Sequence, residues 1–400
     1  MHKPQRDILY LEGPGDIVAV YETWRTRGDF NSVTVITFSG QLFDFCKMGH
    51  HSICAVSYCA KPAAIVDEQF TVMNLPRRNI ELPKIGYALT LLVYSVRLFL
   101  LALRVKPKVI LVSSGVIGWA FLPVLKLSGA KLVPVMHNAL WPEGHKPHHA
   151  IAAFIRRCYG LIWKRCVWLT IAVSPAVERQ VQSLATNTPL SIVPFRPSFP
   201  ADSFKTAPKP RAFFDRPFRI MYAGRIEENK GVFDILAIAR SLNESAAGQF
   251  EFVFCGDGNE LMSLQERIRA LGLTDTVRAL GKLSRSDLIA QYLESHIVIV
   301  PTRSTCAEGY AMVVAEAIVL LRPVITSSVV PAAETLKEAV VLANTDDIQS
   351  YIAAISAISL DAGLYQRLVD GAQRLRKALL DDIYSFRHAL TSINLAITNK

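Results

Sequence analysis

The sequence has 400 residues, which is longer than one hydrophobic core usually supports, so its length predicts two domains of about 200 residues each. Hydrophobic residues make up 51% and charged residues 20%, a globular composition that excludes a disordered chain. The net charge is +10, and residues 1–200 contain 22 Lys and Arg against 11 Asp and Glu, whereas residues 201–400 contain 22 against 23. The basic first half favours an anionic partner, either a membrane surface or an acidic acceptor, over a merely solvated basic surface.

The seven cysteines are odd in number and contain no Cys-x-x-Cys pair. This pattern argues against a disulfide framework and a zinc site, and it favours reduced thiols. The N-terminus runs directly into a predicted strand and has no recognisable secretory signal. We therefore expect a cytoplasmic protein. The basic first half further predicts peripheral contact with the inner face of the cytoplasmic membrane.

Short segments rich in Val and Ile alternate with longer segments of helical period, which predicts βαβ units and parallel sheets. The strands predicted for a first sheet are residues 7–12, 32–38, 52–59, 108–113, 131–137, 169–174 and 190–195. Those predicted for a second sheet are residues 218–224, 250–256, 277–280, 296–302, 323–327 and 340–343. Two Rossmann-like halves of an α/β protein follow from this alternation.

Five prolines fall within residues 194–210, which is typical of an interdomain linker. We therefore predict domains at 1–200 and 201–380. Two helical patterns follow, over 362–380 and 382–397, and residues 381–400 are predicted to form a C-terminal helix that crosses back to the first domain.

Two segments raise the question of a membrane. Residues 85–103 contain a single charged residue, Arg97, and their length reaches the range of spanning helices. They lie between predicted strands, so a buried or membrane-facing helix is favoured over a true span. Residues 154–168 interleave four basic residues with aromatic ones, which fits an interfacial helix and almost equally well a basic surface helix.

Two glutamates, Glu308 and Glu316, follow the predicted strand 296–302. The first stands in a turn that contains glycine, and the second stands in an apolar run of helical character. At about 100° per residue their spacing would let both reach one cleft, roughly 12 Å apart along a helix axis, which suits the two ends of a sugar nucleotide. The amides between them would open the helix and point N–H groups at a phosphate. These amides belong to Gly309, Tyr310, Ala311, Met312 and Val313.

Two predicted strands of the second half end in glycine turns. The first turn contains Gly224 and is followed by Arg225 and Lys230, which are predicted to clamp a diphosphate; a pair of solvated surface cations is the alternative. The second turn contains Gly256 and Gly258, a weak signal when taken alone.

Together these motifs resemble the retaining glycosyltransferases of family 4, which have the GT-B fold. The matching features are Gly224-Arg225 with Lys230-Gly231, the Gly256-Asp257-Gly258 turn, the Glu-x7-Glu spacing of residues 308 and 316, and Arg322-Pro-Val-Ile-Thr. The resemblance covers the second half almost continuously. Two departures are Ala311, where the family commonly has glycine, and Pro194-Phe195-Arg196 in place of Pro-Asn-Gly.

The resemblance implies two Rossmann-like domains whose parallel sheets face a central cleft, with the donor bound by the second domain. It implies that Glu308 contacts the donor sugar near the reacting carbon, that Glu316 binds the ribose hydroxyls, and that Arg225 and Lys230 neutralise the departing diphosphate. It also implies that no cofactor or metal is needed, and the sequence contains no Asp-x-Asp motif.

In the first half the resemblance is looser. Gly13 and Gly15 occupy the place of a glycine loop beside the donor phosphate and the acceptor. His137 ends a predicted strand and would hydrogen-bond the donor sugar or the acceptor as a catalytic residue, with a satisfied histidine at a sheet edge as the alternative. Ser174 would reach the cleft, or cap the helix that begins at Pro175.

The function predicted from these features is retaining transfer of a hexose-type sugar from a nucleotide diphosphate sugar to a glycan or lipid-linked acceptor. The bacterial-type assembly of polysaccharide or glycolipid would be the setting, and no nucleic acid is expected as a partner. A sugar-nucleotide epimerase of the same architecture and a non-catalytic nucleotide-sugar-binding protein are the alternatives.

Overall fold

The computed structural model describes residues 6–26, 37–77, 86–185, 188–199, 201–204 and 207–398. Its first half contains an eight-stranded sheet in the order β3-β4-β2-β1-β5-β6-β7-β8, in which only the β3–β4 pair is antiparallel. The strands are β1 Ile8–Pro14, β2 Ile53–Tyr58, β3 Ala63–Val66, β4 Phe70–Asn74, β5 Val109–Ser113, β6 Lys131–Met136, β7 Thr170–Ala172 and β8 Ile192–Pro194. The central strands are buried on both faces, as apolar parallel strands require.

Helices cover this sheet and supply the crossovers between its parallel strands. They are α1 Ile17–Thr26, α2 Phe38–Met48, α3 Gly86–Val105, α4 Leu122–Lys126, α5 Ala150–Cys166 and α6 Pro175–Leu184.

The second half contains a six-stranded, wholly parallel sheet in the order β11-β10-β9-β12-β13-β14. Its strands are β9 Phe218–Ala223, β10 Phe250–Cys255, β11 Val277–Ala279, β12 Ile297–Val300, β13 Val324–Thr326 and β14 Val340–Leu342. Its helices are α7 Val232–Ser245, α8 Leu261–Ala270, α9 Arg285–Glu294, α10 Met312–Val319, α11 Ala332–Thr335, α12 Ile348–Leu360 and α13 Ala362–Leu379. The predicted class, two α/β halves with parallel sheets, is confirmed.

The predicted strands agree with the structure apart from their ends, with two differences. The predicted strand 32–38 lies mostly within residues 27–36, outside the described part of the chain, and its last residue, Phe38, begins α2. The strands β3 and β4 were not predicted. The four residues of β3 lie at the edge of the sheet and are largely exposed, so they carry little apolar pattern.

The chain after α13 returns to the first half. The helix predicted over 382–397 is broken into 3₁₀ turns and two short helices, α14 Phe386–Leu390 and α15 Asn394–Thr398. The backbone N–H of Arg387 donates to Gln41 Oε1 at 3.1 Å, and Asn394 Oδ1 lies 3.2 Å from His51 Nε2. This C-terminal segment therefore packs against α2.

The helix α3 is long and apolar enough to cross a membrane by length and composition. In this fold it forms the crossover from β4 to β5, and Tyr94, Leu98 and Ala102 on its inner side belong to the core of the first half. It therefore covers the sheet, and an apolar stripe remains exposed on its outer side.

Candidate active site at the interdomain cleft

The two halves touch where the carboxyl ends of their strands meet. Ser174, which follows β7, donates a hydrogen bond of 2.8 Å to the carbonyl oxygen of Gly309 in the loop between β12 and α10. A Cβ atom on Gly309 would lie 1.8 Å from the carbonyl oxygen of His137, so this close approach requires glycine. Ser174 also accepts a 3.3 Å hydrogen bond from Val177 N–H, so it both caps α6 and reaches the cleft.

A cavity of about 510 Å³ opens beside this contact, on the side of the second half. The turns after β9 and β10 form one wall, and the first two turns of α10 form another. The predicted donor residues that line it are Gly224, Arg225, Gly256, Met312, Val313 and Glu316. Lys282, Leu283 and Leu288 extend the lining toward α9.

The two glycine turns are packed against each other. Gly224 has a φ of +150° and Gly256 a φ of +151°, and a Cβ on Gly256 would lie 1.8 Å from the carbonyl oxygen of Gly224. Gly258 does not line the cavity; a Cβ there would lie 2.3 Å from the carbonyl oxygen of Ile226. Gly258 therefore allows its turn to pack against Ile226, whereas Gly224 and Gly256 form part of the cavity wall.

The start of α10 faces the cleft with backbone groups. The helix begins at Met312, and its N-cap residue Ala311 has a φ of +70° and makes no side-chain cap. Within the described part of the chain, no hydrogen bond uses the backbone N–H groups of residues 309–313. Such a helix start attracts anions.

Two details of the predicted arrangement differ from the structure. Glu308 lies four residues before the helix, so the helical rotation assumed between the two glutamates applies only from Met312 onward. The side chain of Tyr310 is buried, and its hydroxyl lies 3.1 Å from Thr335 Oγ1, so only its backbone can serve a ligand.

Glu316 lies in the cavity wall and is largely withdrawn from solvent. Burial raises the pKa of its carboxyl, while the hydrogen bond from Tyr292 and the charge of Arg285 oppose that shift. Tyr292 donates to Glu316 Oε2 at 3.0 Å. Neither Tyr292 nor Arg285 was predicted, because both belong to α9 and meet Glu316 only in the fold.

Glu308 does not line the cavity. It forms an ion pair with Lys230, and both side chains are about five-sixths buried, at 17% and 15% exposure. The prediction had placed Lys230 at the diphosphate and Glu308 at the sugar as separate groups, whereas the structure joins them in one pair. Arg225 differs from Lys230, since it is 67% exposed and pairs at 2.6 Å with Glu227.

His137 lies in an aromatic cluster. Its ring stacks on Phe38 at 4.3 Å between centroids and meets the edges of Phe195 and Phe386 at 6.0 Å each. Burial lowers the pKa of His137 to about 4, so the ring is neutral at pH 7. Its Nδ1 is buried and has no partner among the described residues.

The predicted glycine loop spans the end of β1 at the same edge of the first sheet: Gly13 lies within the strand and Gly15 follows it. Gly15 N–H donates to the carbonyl oxygen of Tyr58 at 3.1 Å, and its own carbonyl accepts from Ser57 Oγ at 2.7 Å. A Cβ on Gly13 would lie 3.8 Å from the carbonyl oxygen of Ser114. The neighbouring acid Glu12 was not predicted; burial raises the pKa of its carboxyl, and one of its oxygens has no described partner.

No metal cluster is found among the residues that the structure describes: none of their His, Cys, Asp and Glu side chains form a group of three or more able to hold an ion. All seven cysteines are free thiols.

Comparison with known proteins gives consistent matches. Residues 203–375 match the family model described as "Glycosyl transferases group 1". A D-inositol 3-phosphate glycosyltransferase of Salinispora arenicola is 28% identical over 170 residues, 40% of this chain and 37% of that protein. A 2-deoxystreptamine N-acetyl-D-glucosaminyltransferase of Niallia circulans is 25% identical over 83 residues, 21% of each chain. The matches thus span 37% and 21% of the lengths of these two relatives.

Solved structures resemble the chain over its full length. A sucrose-phosphate synthase from Thermosynechococcus elongatus superposes with a TM-score of 0.69 at 15% identity, covering 98% of both chains. The Anabaena protein HepE in complex with UDP superposes with a TM-score of 0.64 at 16% identity, covering 98% of this chain and 99% of that one. At such identities the likeness concerns the fold.

Proposed function

We propose that this chain, which belongs to the group 1 glycosyl transferases and has the GT-B fold, transfers a hexose-type sugar from a nucleotide diphosphate sugar to an acceptor. Family and fold agree with the resemblance predicted from the motifs. We further propose that the transfer retains the anomeric configuration, and that the acceptor is a glycan or a lipid-linked glycan of polysaccharide or glycolipid assembly.

The observation that carries the proposal is the cavity between the two glycine turns and the start of α10. Met312 and Val313, whose N–H groups have no partner among the described residues, line this cavity together with the exposed guanidinium of Arg225, and both kinds of group favour phosphate oxygens. Glu316 at the far side would accept hydrogen bonds from ribose hydroxyls. A nucleoside diphosphate fits this arrangement, with its phosphates at the N–H groups and Arg225 and its ribose at Glu316. The UDP bound to the Anabaena protein is in keeping with such a ligand.

The reacting sugar would lie toward Glu308, next to the contact between the halves. As the bond to the diphosphate breaks, negative charge develops on the leaving oxygen; Arg225 in the cavity wall and Lys230 beside Glu308 would stabilise it. Glu308 would orient the sugar hydroxyls. We propose that these fixed charges supply what the leaving group needs, so that the reaction requires no cofactor and no metal.

The first half would bind the acceptor. Neutral His137 would donate or accept a hydrogen bond and would not act as a base near pH 7, because burial holds its pKa at about 4. Gly13, Gly15 and Ser174 border the same edge. We propose a cytoplasmic enzyme that contacts the membrane peripherally through the basic first half, where α3 and α5 expose apolar side chains such as Leu92 and Phe154.

The proposal is tested by screening nucleotide sugars for thermal stabilisation and then measuring nucleotide release with glycan and lipid-linked acceptors. Binding to the native state raises the unfolding midpoint. Acceptor-dependent release of nucleotide supports transfer; formation of a sugar isomer would instead indicate epimerisation, and binding without turnover would indicate a non-catalytic protein.

The donor clamp is tested by calorimetry with the nucleotide sugar that binds best. Arg225→Ala and Lys230→Ala should each weaken binding by about tenfold, as expected for a charge-assisted hydrogen bond. The matched control is Arg240→Ala, which removes an exposed arginine from α7. If Arg225→Ala and Lys230→Ala both bind the nucleotide sugar with unchanged affinity, the proposed contacts of these two cations with the diphosphate are wrong.

A further inference from the structure

A second cavity, of about 270 Å³, lies beside the N-terminal half of α3 in the first half of the chain. It is lined by Arg77, which follows β4, and by Thr90, Val93, Tyr94 and Arg97 of α3. The proposed donor site uses none of these residues. Two guanidinium groups around one cavity indicate an anionic ligand.

The side chain of Tyr94 also indicates a ligand in this cavity. Its side chain is 2% exposed and lines the cavity, yet its hydroxyl has no hydrogen-bond partner among the described residues. A buried hydroxyl without a partner is costly, and it is normally explained by a ligand or a water. Burial raises the pKa of Tyr94 to about 12, so the hydroxyl stays protonated near neutral pH and can donate a hydrogen bond to an anion.

The two arginines are held in place and still have donors to spare. The Arg77 guanidinium lies 4.3 Å from the centroid of the Tyr58 ring, and its Nε is buried without a partner. Arg97 Nη1 donates to the carbonyl oxygen of Pro76 at 2.7 Å. Neither arginine forms an ion pair with a carboxylate that the structure describes.

The cavity lies at the same edge of the first sheet as the proposed acceptor loop. Tyr58 ends β2, its carbonyl oxygen accepts the hydrogen bond from Gly15 N–H, and its ring lies 6.2 Å from that of Tyr94. A ligand at Tyr94 is therefore close to the proposed acceptor side of the cleft.

An exposed apolar stripe runs along the outer side of α3 and neighbours the cavity through Val93, which lines the cavity and is itself exposed. Its members recur at helical spacing on one side, and they are Leu92, Val96, Leu100 and Leu103, each 42–51% exposed. A cavity that can bind an anion, next to an exposed apolar stripe, is complementary to a lipid that carries a phosphate group.

We propose that Arg77, Tyr94 and Arg97 bind the phosphate group of a lipid whose hydrocarbon chain lies along the exposed stripe of α3. Naming this lipid as the acceptor rests on the proposed glycosyl transfer. The binding itself does not, because it involves only the first half.

The test compares binding to phosphatidylcholine vesicles with and without phosphatidic acid. Tyr94→Phe removes one hydroxyl and no charge, so it should weaken binding to the phosphatidic acid vesicles by about tenfold, the loss expected for a hydrogen bond to a charged group. Arg97→Gln should weaken it more than the control Arg104→Gln, which removes the same charge about 10 Å further along α3. Tyr94→Phe vesicle binding equal to that of the unaltered chain overturns the proposal.

The source of the phosphate is tested with glycerol 3-phosphate and with the double variant Leu92→Ser, Leu100→Ser. The double variant should lose vesicle binding and keep its weak affinity for glycerol 3-phosphate. If it binds phosphatidic acid vesicles normally, the hydrocarbon chain does not lie along the stripe and the proposal is wrong in that part. Nucleotide-sugar affinity is measured in parallel, and Tyr94→Phe should leave this affinity unchanged. If the unaltered chain binds no nucleotide sugar, the proposed sugar transfer is contradicted, whereas the proposed lipid site is not.

Discussion

At the scale of single residues, Glu316 shows a conflict between stability and binding. Burial raises the pKa of its carboxyl, so the ionised form of Glu316 costs the folded chain stability that a neutral group would not cost. Glu316→Gln keeps an oxygen for the hydrogen bond from Tyr292. We expect this variant to unfold at a higher temperature, by a few degrees, and to bind the nucleotide sugar at least tenfold more weakly.

The pH dependence of that stabilisation follows from the sign of the shift. Above the folded-state pKa the ionised glutamate lowers the stability of the unaltered chain. As the pH falls through that value the carboxyl takes up its proton in the fold, and the cost disappears. The advantage of Glu316→Gln, measured by thermal unfolding, should therefore be largest at neutral pH and shrink toward pH 4.5. An advantage that grows on acidification would show that burial does not dominate.

At the scale of elements, the loop that leads into α10 is held against the first half. Because a Cβ on Gly309 would lie 1.8 Å from the His137 carbonyl oxygen, Gly309→Ala should force the two halves apart. We expect transfer to fall by more than tenfold and stability to fall by about 1–3 kcal/mol. Urea unfolding and a transfer assay measure the two effects.

The control for this prediction is Gly118→Ala. The new Cβ there would have its nearest neighbour at 3.7 Å, and Gly118 has an ordinary φ of −67°. That variant should behave as the unaltered chain does. If Gly309→Ala were equally silent, the contact between the loop and His137 would not matter for the cleft.

The elements also show what could be predicted from the sequence. Both sheets were predicted because buried parallel strands are short apolar runs, such as β5, and β3 was missed because it is exposed at the edge. The glycine turns and the two glutamates were found by motif. The Lys230–Glu308 pair, the contact of Tyr292 with Glu316 and the aromatic cluster at His137 were not, since each joins segments far apart in the chain.

At the scale of the whole molecule, the C-terminal segment ties the end of the chain to the first half. Phe386 is fully buried, and its ring lies near Phe38, His137 and Phe195. Phe386→Ala should cost about 3–5 kcal/mol, as for other large-to-small core substitutions. Because its ring partners all belong to the first half, hydrogen exchange should rise in α2. Leu395→Ala, in the same segment but at a side chain 70% exposed, should change little. Equal exchange in both variants would contradict this role.

The central claim is that the second half binds a nucleotide sugar whose reacting end lies at Glu308. The most direct measurement is sugar transfer by Glu308→Gln with saturating donor and acceptor, since glutamine keeps an oxygen that can accept a hydrogen bond from Lys230. We predict a rate at least about 100-fold lower than that of the unaltered chain, the size of effect seen when a group that stabilises a transition state is removed, with donor affinity changed only a few-fold. A rate equal to that of the unaltered chain would contradict the account.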